Sequence, residues 1–377
     1  MNKKPKKIVF LSGTRADFGK IKSLITALEI HQDFEPFVFV TGMHLMETYG
    51  YTLIEIERCN FSQVHAFKNH TCETTMDLTL AKTIEGFSAY VKDINPDLIL
   101  VHGDRVEALA GAIVGTLNNI LVAHIEGGEV SGTVDELIRH SVSKMSHVHF
   151  TSNEDAKRRL IQMGELEQSI KVIGSPDVDV MFSGNLPLIE EVKSYYEIPF
   201  KIYAVVMFHP ITTEYDDMQL IASNFVDSLL QDDKNYVVIY PNNDLGSEII
   251  LNQYKRFEGN NRFRVFPSIR FEYFLTLLKN SRFIIGNSSA GIREAPYYGI
   301  PTVNVGSRQN NRAMHSHIIN VSYKTEDISK LLNNTIESTN SEKMSFGKGN
   351  SAELFLSALS EDSIWQLNTQ KQFIDIS

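Results

Sequence analysis

The chain alternates short apolar runs with longer segments in which apolar residues recur at helical spacing. The runs in the first half have the length of buried strands, and they are Lys7–Ser12, Pro36–Thr41, Leu98–His102, Ile120–Ile125 and His147–Thr151. The helical pattern occupies the segments between them, for example Thr74–Ile94 and Arg105–Leu117. Strands that alternate with helices predict a parallel sheet with right-handed crossover connections.

The second half of the chain repeats this scheme. Its strand-like runs, each followed by a helical pattern, are YAVVMFHP, YVVIYPNN, FRVFPS, FIIGN and PTVNVG. The rhythm is lost near residues 181–200, a segment that contains two prolines. We therefore predict an α/β fold with two doubly wound, Rossmann-like domains facing a cleft, an N-terminal domain of residues 1–182 and a C-terminal domain of residues 200–360. Residues 361–377 are predicted to form a final helix that packs back on the N-terminal domain.

Polar residues gather where these strands end. In doubly wound sheets, ligands bind beyond the carboxyl ends of the strands. The segments at those ends read, in chain order, SGTR, TGMH, HGDR, HIEGGE, HP, PNND, GNSS and VGSRQNNR. These segments are therefore the candidate functional site.

The segment HIEGGEVSGTVDE, residues 124–136, places carboxylates and glycines directly after a buried strand. A metal site, an acidic surface loop and a set of proton-transfer groups are the three explanations. His124 and Glu126 face one side of a strand and could chelate a metal, but the chain has no HExxH motif and no cysteine partner for them. Asp135 and Glu136 suit the start of a helix. Glu126 has no comparable capping role, so a structural explanation is weaker for it.

The other strand ends each allow a functional and a structural interpretation. Asp104 in HGDR is either a half-buried acid or the N-cap of the next helix. In GNSSAGIREA, Ser288 and Ser289 open a helix whose N–H groups suit a phosphate, and Glu294 suits a ribose diol. The structural interpretation makes Ser288 only the N-cap of that helix. Arg15 in SGTRADFGK suits a diphosphate or a surface salt bridge. That segment lacks both GxGxxG and the Walker motif, which disfavours dinucleotide and P-loop sites.

Composition narrows the class of function. The net charge of −10 over 377 residues argues against general nucleic-acid binding. Cys59 and Cys72 are too few for a disulfide framework or a thiolate zinc site. No apolar stretch reaches the length of a membrane span, and the run after the basic start is too short for a signal sequence. We expect a cytoplasmic protein with no metal, no cofactor and no nucleic-acid or membrane partner. Carboxylates in one half and phosphate-binding groups in the other suit a nucleotide sugar.

Several long blocks occur in the order of a known family, and they are GTRADFGK, VTGMH, HGDRVEALAGA, HIEGGEVSGTVDELIRHSVSKMSH, GSPDVDVM, MFHPITTE, YPNND, FPSIRFEYF, GNSSAGIREAPYYG and GSRQNNR. Over residues 7–330 the chain resembles the hydrolysing UDP-N-acetylglucosamine 2-epimerases of bacterial sialic-acid synthesis. The resemblance implies a GT-B-like fold and a homodimer or homotetramer. Gly19 and Phe18 depart from some relatives, which carry Ser and Tyr there.

The resemblance also implies roles for individual residues. Asp104, Glu126 and Asp135 match the family's catalytic carboxylates. The positions that match its UDP-binding residues are Arg15, Lys20, Arg105, His209, Asn242, Ser268, Ser288, Ser289, Glu294 and Arg312. The implied chemistry removes the C2 proton, eliminates UDP to give a glycal and adds water to give N-acetylmannosamine. A carboxylate base and a proton donor are needed for these steps.

Three other functions remain open at this point. A hydrolysing epimerase of a UDP-2,4-diacetamido-trideoxy sugar would need a more apolar pocket, which the sequence does not reveal. A GT-B glycosyltransferase would need an acceptor and would not turn over the donor alone. A nucleotide-sugar sensor would bind its ligand without releasing UDP. Acidic residues at the strand ends argue against it, because negative charge does not help a protein to bind an anionic ligand.

Overall fold

The computed structural model describes residues 4–70, 75–131, 134–309, 317–334 and 346–375. The chain forms two compact units. The first contains the described residues of Met1–Glu129, Asp135–Asn185 and Ser345–Ser377, and the second those of Val130–Val134 and Leu186–Met344. Each unit is built on one parallel β-sheet with helical connections, which confirms the predicted α/β class.

The described part of the first unit has a seven-stranded sheet with the order β3-β2-β1-β4-β5-β6-β7. Its strands are β1 (Lys6–Ser12), β2 (Phe34–Val40), β3 (Val64–Ala66), β4 (Leu98–His102), β5 (Leu121–Ile125), β6 (Val148–Thr151) and β7 (Ile170–Val172). Its helices before the second unit are α1 (Arg15–Glu29), α2 (Leu53–Glu57), α3 (Met76–Ile94), α4 (Val106–Leu117), α5 (Val134–Met145), α6 (Glu154–Gln162) and α7 (Pro176–Phe182). The central strands are fully buried, as expected for a parallel sheet covered on both faces.

The described part of the second unit has a six-stranded sheet with the order β10-β9-β8-β11-β12-β13. Its strands are β8 (Ala204–Met207), β9 (Tyr236–Ile239), β10 (Phe263–Phe266), β11 (Ile284–Gly286), β12 (Thr302–Val305) and β13 (Ile318–Val321). Its helices are α8 (Ile189–Tyr195), α9 (Met218–Gln231), α10 (Ser247–Tyr254), α11 (Phe271–Lys279), α12 (Ala290–Arg293) and α13 (Thr325–Leu332).

Strand order reverses once in each sheet, between β1 and β4 in the first unit and between β8 and β11 in the second. Connections leave in opposite directions at such a switch point, so a crevice opens beyond the carboxyl ends of the two strands. In the first unit, this crevice is bordered by the residues after Ser12 and His102. In the second, it is bordered by the residues after Met207 and Gly286.

The C-terminal segment belongs to the first unit. Helix α14 (Ser351–Leu359) inserts Phe355 into the first core, with its ring centroid 4.9 Å from that of Phe150. The carboxylate of Asp179 caps this helix by accepting the backbone N–H groups of Ser351 and Ala352. Residues 351–360 fall within the C-terminal domain predicted from the sequence, residues 200–360. The structure differs because the apolar face of α14 fits the core of the first unit.

Helix α15 (Asp362–Trp365) is a single turn, so the helix predicted for residues 361–377 is much shorter than expected. Residues 366–375 then follow the surface of the first unit without regular structure. Lys371 donates to the carbonyl oxygens of Lys144 and Ser146 at the end of α5. Within the described ranges, no helix has both the length and the apolar character needed to cross a membrane.

Candidate active site

Glu126 follows the last residue of β5 and is 2% exposed. Its backbone lies in the left-handed region, with a φ of 62°. That conformation is costly for a residue with a side chain, and such residues cluster at functional sites. One carboxylate oxygen accepts the hydroxyl of Ser175, and the backbone N–H donates to the carbonyl of Phe150. The fold therefore holds a buried acid in one fixed orientation at the switch-point edge.

Two cations lie beside this carboxylate. His102 Nε2 is 3.2 Å from Glu126 Oε2, and Lys20 Nζ is 3.4 Å from the same oxygen. Lys20 is also 3.4 Å from Asp177 Oδ2, and its side chain is 11% exposed. Opposite charges at this range favour the ionised carboxylate. Lys20, which the resemblance assigns to UDP, thus reaches Glu126 in the structure.

His102 lies between two carboxylates, because its Nδ1 is 3.5 Å from Asp17 Oδ1. Burial by itself would lower the pKa of His102, but the charges of Glu126 and Asp17 outweigh it and raise the pKa to about 9. Burial would raise the pKa of Asp17, but the imidazolium and Arg105 lower it. The ring is therefore a cation at neutral pH, and it links α1 to the end of β5.

Arg139 contacts two of the three predicted acids, Asp104 and Glu126. It lies on α5 and is 3% exposed. Its guanidinium donates to the carboxylate of Asp104 and, over 2.7 Å, to the backbone carbonyl of Glu126. Asp135 lies in the first turn of the same helix, one turn before Arg139. The structure therefore connects Asp104 with Glu126 and carries Asp135 on the helix that connects them.

The remaining acids and histidines of this region have structural duties. Glu129 accepts the hydroxyl of Ser152 over 2.6 Å. His124 contacts the carbonyl of Gly103 through Nε2 and the hydroxyl of Ser143 through Nδ1, and burial lowers its pKa to about 3. A neutral ring with both nitrogens occupied is a structural histidine.

Two further histidines from the candidate segments also contact residues of the first unit. His44 is fully buried, with Nε2 3.0 Å from the hydroxyl of Ser12 and Nδ1 2.7 Å from that of Thr52. Burial lowers its pKa to about 4, so it is neutral. His140 lies 3.5 Å from Glu136 on the partly exposed face of α5.

The arginines predicted for the diphosphate are mostly covered. Arg15 lies 3.6 Å from Glu55, and its side chain is 16% exposed. Arg105 is the N-cap residue of α4, and its Nε lies 3.4 Å from Glu107. Arg15 therefore does form the salt bridge that was the structural alternative to diphosphate binding. Both arginines lie in the first unit, near the ends of β1 and β4.

In the second unit, Asn287 joins the two switch-point strands. Its side-chain amide accepts the backbone N–H of His209 over 2.6 Å and donates to the carbonyl of His209 over 2.9 Å. The backbone N–H of Asn242 donates to Nδ1 of His209. That hydrogen bond places the ring proton on Nε2, so neutral His209 presents a donor. The Asn242 side chain donates to Asp244.

The other predicted nucleotide residues of the second unit lie near the ends of β10 and β11. Ser268 is partly buried. Ser288 is 9% exposed and its hydroxyl accepts the N–H of Ala290, whereas Ser289 is the N-cap residue of α12 without a side-chain cap. Glu294 is 4% exposed and ends that helix. Arg312 lies outside the described residues.

Sequence reasoning missed four contributors to the carboxylate site, and they are Asp17, Arg139, Ser175 and Asp177. His102 lies in the strand-end segment HGDR, but the sequence gives it no specific role. All four contributors do lie in the quoted blocks GTRADFGK, HIEGGEVSGTVDELIRHSVSKMSH and GSPDVDVM, which gave a signal without a role. Among the described residues, no group of three or more His, Cys, Asp or Glu side chains is arranged to hold a metal ion.

Comparison with known proteins gives one consistent result. A family model described as UDP-N-acetylglucosamine 2-epimerase matches residues 26–360. A protein of Neisseria meningitidis serogroup B named UDP-N-acetylglucosamine 2-epimerase is 47% identical over 99% of this chain and 100% of its own length. A Legionella pneumophila protein named UDP-N,N'-diacetylbacillosamine 2-epimerase (hydrolyzing) is 34% identical over 84% of this chain and 85% of its length.

The fold is also that of a solved structure. The UDP-N-acetylglucosamine 2-epimerase of Methanocaldococcus jannaschii, determined in complex with UDP-N-acetylglucosamine and UDP, superposes with a TM-score of 0.81. The two share 23% sequence identity, and the match covers 94% of this chain and 99% of that one. At this identity, the likeness establishes the shared architecture.

Proposed function

The chain belongs to the UDP-N-acetylglucosamine 2-epimerase family, and we propose that it is a hydrolysing member of it. The proposed reaction converts UDP-N-acetylglucosamine and water into N-acetylmannosamine and UDP. We further propose that this is the first step of sialic-acid synthesis, carried out in the cytoplasm by a homodimer or homotetramer. The motifs that resemble the sialic-acid branch support this context.

Glu126 gives the reaction its strongest support. A sugar C2–H is a weak acid, so its removal needs an ionised carboxylate fixed at the reacting carbon. Glu126 is buried and oriented by Ser175, and His102 and Lys20 keep it charged. Asp104, joined to it through Arg139, supplies a second acid. A nucleotide-sugar sensor would gain nothing from anions placed in this way.

The proposed chemistry balances in two steps. A carboxylate takes the C2 proton while the C1–O bond to UDP breaks, and the electron pair of the C–H bond becomes the C1=C2 double bond of 2-acetamidoglucal. Water then adds to C1 as a hydroxyl group and passes its other proton to a carboxylate, while a carboxylic acid returns a proton to C2 on the opposite face. One sugar carbon thus exchanges protons on both faces, which requires more than one of the acids Asp104, Glu126 and Asp135.

We propose that UDP contacts the strand ends of the second unit. His209 presents an N–H donor, and Ser288 and Ser289 bring hydroxyls to the turn after β11. Donors fixed in this way suit the charge that develops on the departing diphosphate. Glu294 remains the predicted partner of the ribose diol, and Ser268 and Arg312 remain predicted UDP contacts.

Proton NMR of the purified protein with UDP-N-acetylglucosamine in deuterated water, without added metal, tests the proposal. The expected products are UDP and N-acetylmannosamine carrying deuterium at C2. Accumulation of UDP-N-acetylmannosamine without free UDP would show a non-hydrolysing epimerase instead. A glycosyltransferase would leave the donor unchanged until an acceptor was supplied.

A second candidate substrate is a UDP-2,4-diacetamido-trideoxy sugar, because the Legionella relative is named as an epimerase of such a sugar. The two sugars differ at C4 and C6, where the second needs apolar surroundings. Parallel time courses give kcat/KM for both. A higher value for the diacetamido sugar would replace the simpler substrate and leave the hydrolytic chemistry intact.

A further inference from the structure

We propose that Asp17 is a positioning residue for proton transfer by Glu126, and that it acts through His102. The inference rests on the proposed function, in which Glu126 exchanges a proton with the sugar. Asp17 lies in the first turn of α1, and its Oδ1 is 3.5 Å from Nδ1 of His102. The opposite ring nitrogen, Nε2, is 3.2 Å from Oε2 of Glu126. The imidazole is thus held at both ends by carboxylates from different elements.

The three side chains of this Asp17–His102–Glu126 arrangement are shielded from water. The side chains of Asp17, His102 and Glu126 are 16%, 6% and 3% exposed, respectively. Charges that are buried in this way interact strongly, because little solvent screens them. The groups facing the imidazole are therefore the ones that set its charge. They are Asp17 and Lys20 from α1 and Glu126 from the end of β5, with Arg105 next to Asp17.

Asp17 matters because Glu126 changes charge during turnover. When Glu126 takes the sugar proton, His102 loses one of its two anionic partners. Asp17 stays ionised and keeps the imidazolium charged and in place. A retained cation beside protonated Glu126 favours renewed ionisation of that acid, which resets it for the next step. Without Asp17, the ring would be free to lose its proton and would no longer favour the carboxylate.

A capping role alone does not explain this side chain. The backbone N–H of Asp17 donates to the hydroxyl of Thr14, which is the N-cap contact of α1. That contact uses the backbone of Asp17 and would survive in Asp17→Asn, since asparagine keeps the backbone and the side-chain oxygen. Asp17→Asn therefore removes the charge facing His102 while preserving the helix start.

Histidine-selective NMR gives a readout that does not depend on substrate. In protein labelled at histidine Cε1, the His102 signal, assigned by its loss in His102→Gln, is expected to titrate near pH 9. In Asp17→Asn, we expect its midpoint to fall by about one pH unit or more, because one of the two anions that favour the imidazolium is gone. The charge of the ring is retained below the midpoint and lost as the pH rises through it.

Steady-state kinetics then connect this charge to turnover. We expect kcat of Asp17→Asn to fall roughly tenfold or more, KM for the UDP-sugar to stay within about threefold, and the alkaline limb of the kcat profile to move with the His102 midpoint. Asp17→Glu, which keeps the charge, is expected to recover part of both. Asp33→Asn is the matched control, because Asp33 also faces a histidine, His31 at 3.9 Å, but its side chain is 75% exposed.

Three results would overturn the inference. The His102 midpoint could be the same in Asp17→Asn as in the wild type. The midpoint could move while kcat and its pH profile stay unchanged. A uniform loss of kcat at all pH values, with no movement of the alkaline limb, would show a purely structural role. Failure of the proposed function looks different, since the wild type would then form no N-acetylmannosamine while the NMR titration would still report the Asp17–His102 coupling.

Discussion

Glu165 allows a stability prediction whose size follows from the structure. Its side chain is 2% exposed. One carboxylate oxygen lies 3.0 Å from the ammonium of Lys144. The other lies 3.0 Å from Nε2 of His149 and also contacts Lys371 from the C-terminal segment. Burial would raise the pKa of Glu165, but the hydrogen bond and charge of His149, together with the charge and hydrogen bond of Lys371, outweigh it and lower the pKa from 4.5 to about 2. Burial lowers the pKa of His149, against the opposing hydrogen bond and charge of Glu165.

The lowered pKa is a statement about unfolding. One pKa unit corresponds to about 1.4 kcal/mol, so the change from 4.5 to about 2 gives roughly 3 kcal/mol to the free energy of unfolding at pH 7. The folded pKa is depressed, so this contribution is present above pH 4.5 and is lost as the pH falls through about 2. At pH 3, near one unit above the folded pKa, roughly 1.4 kcal/mol should remain.

Glu165→Gln keeps the shape of the side chain and removes its charge. Denaturant unfolding followed by fluorescence measures the effect, because the chain has one tryptophan, Trp365, and it stacks on Phe34 in the first unit. We expect the variant to be less stable by about 3 kcal/mol at pH 7 and by roughly half of that at pH 3. Glu167→Gln is the control, since Glu167 pairs with Lys157 but is 70% exposed, and its loss should cost less than about 1 kcal/mol. A difference for Glu165→Gln that is below 1 kcal/mol, or that does not shrink in acid, would refute the reasoning.

The remaining predictions concern catalysis, nucleotide binding and the second sheet. Removing the charge of each candidate acid should lower kcat by about 10²- to 10⁴-fold and leave UDP affinity, measured by calorimetry, within about threefold; wild-type turnover in all of them would exclude the acid–base assignment. The variants are Asp104→Asn, Glu126→Gln and Asp135→Asn. Ser288→Ala should weaken UDP binding by about 1 kcal/mol, whereas the control Ser322→Ala, at an exposed position, should not. If both variants bind UDP equally well, Ser288 is not part of the site. Gly286→Ala should destabilise the second unit by more than about 2 kcal/mol, because the φ of Gly286 is 138° and the new Cβ would lie 2.0 Å from the carbonyl oxygen of Met207. Thermal unfolding followed by circular dichroism measures this effect, and an unchanged melting curve would contradict it.

The sequence alone determined the α/β class, the central strands and the list of strand ends that form the candidate site. Central strands of a parallel sheet are buried on both faces, so they read as apolar runs, and Leu98–His102 was predicted with the bounds it has. Edge strands have no such signal. Val64–Ala66 is exposed along its whole length, and it was missed together with Ile170–Val172.

Only the tertiary structure decided which residues surround the acids. Glu126 meets Lys20 and Ser175, which are 106 and 49 positions away along the chain, and no local pattern encodes such a pairing. The position of α14 was decided in the same way, since an apolar helix face does not specify which of two cores it will enter. Periodicity is a local property of the chain, whereas contacts and the charge states they set depend on how crossover connections bring distant strand ends to one edge.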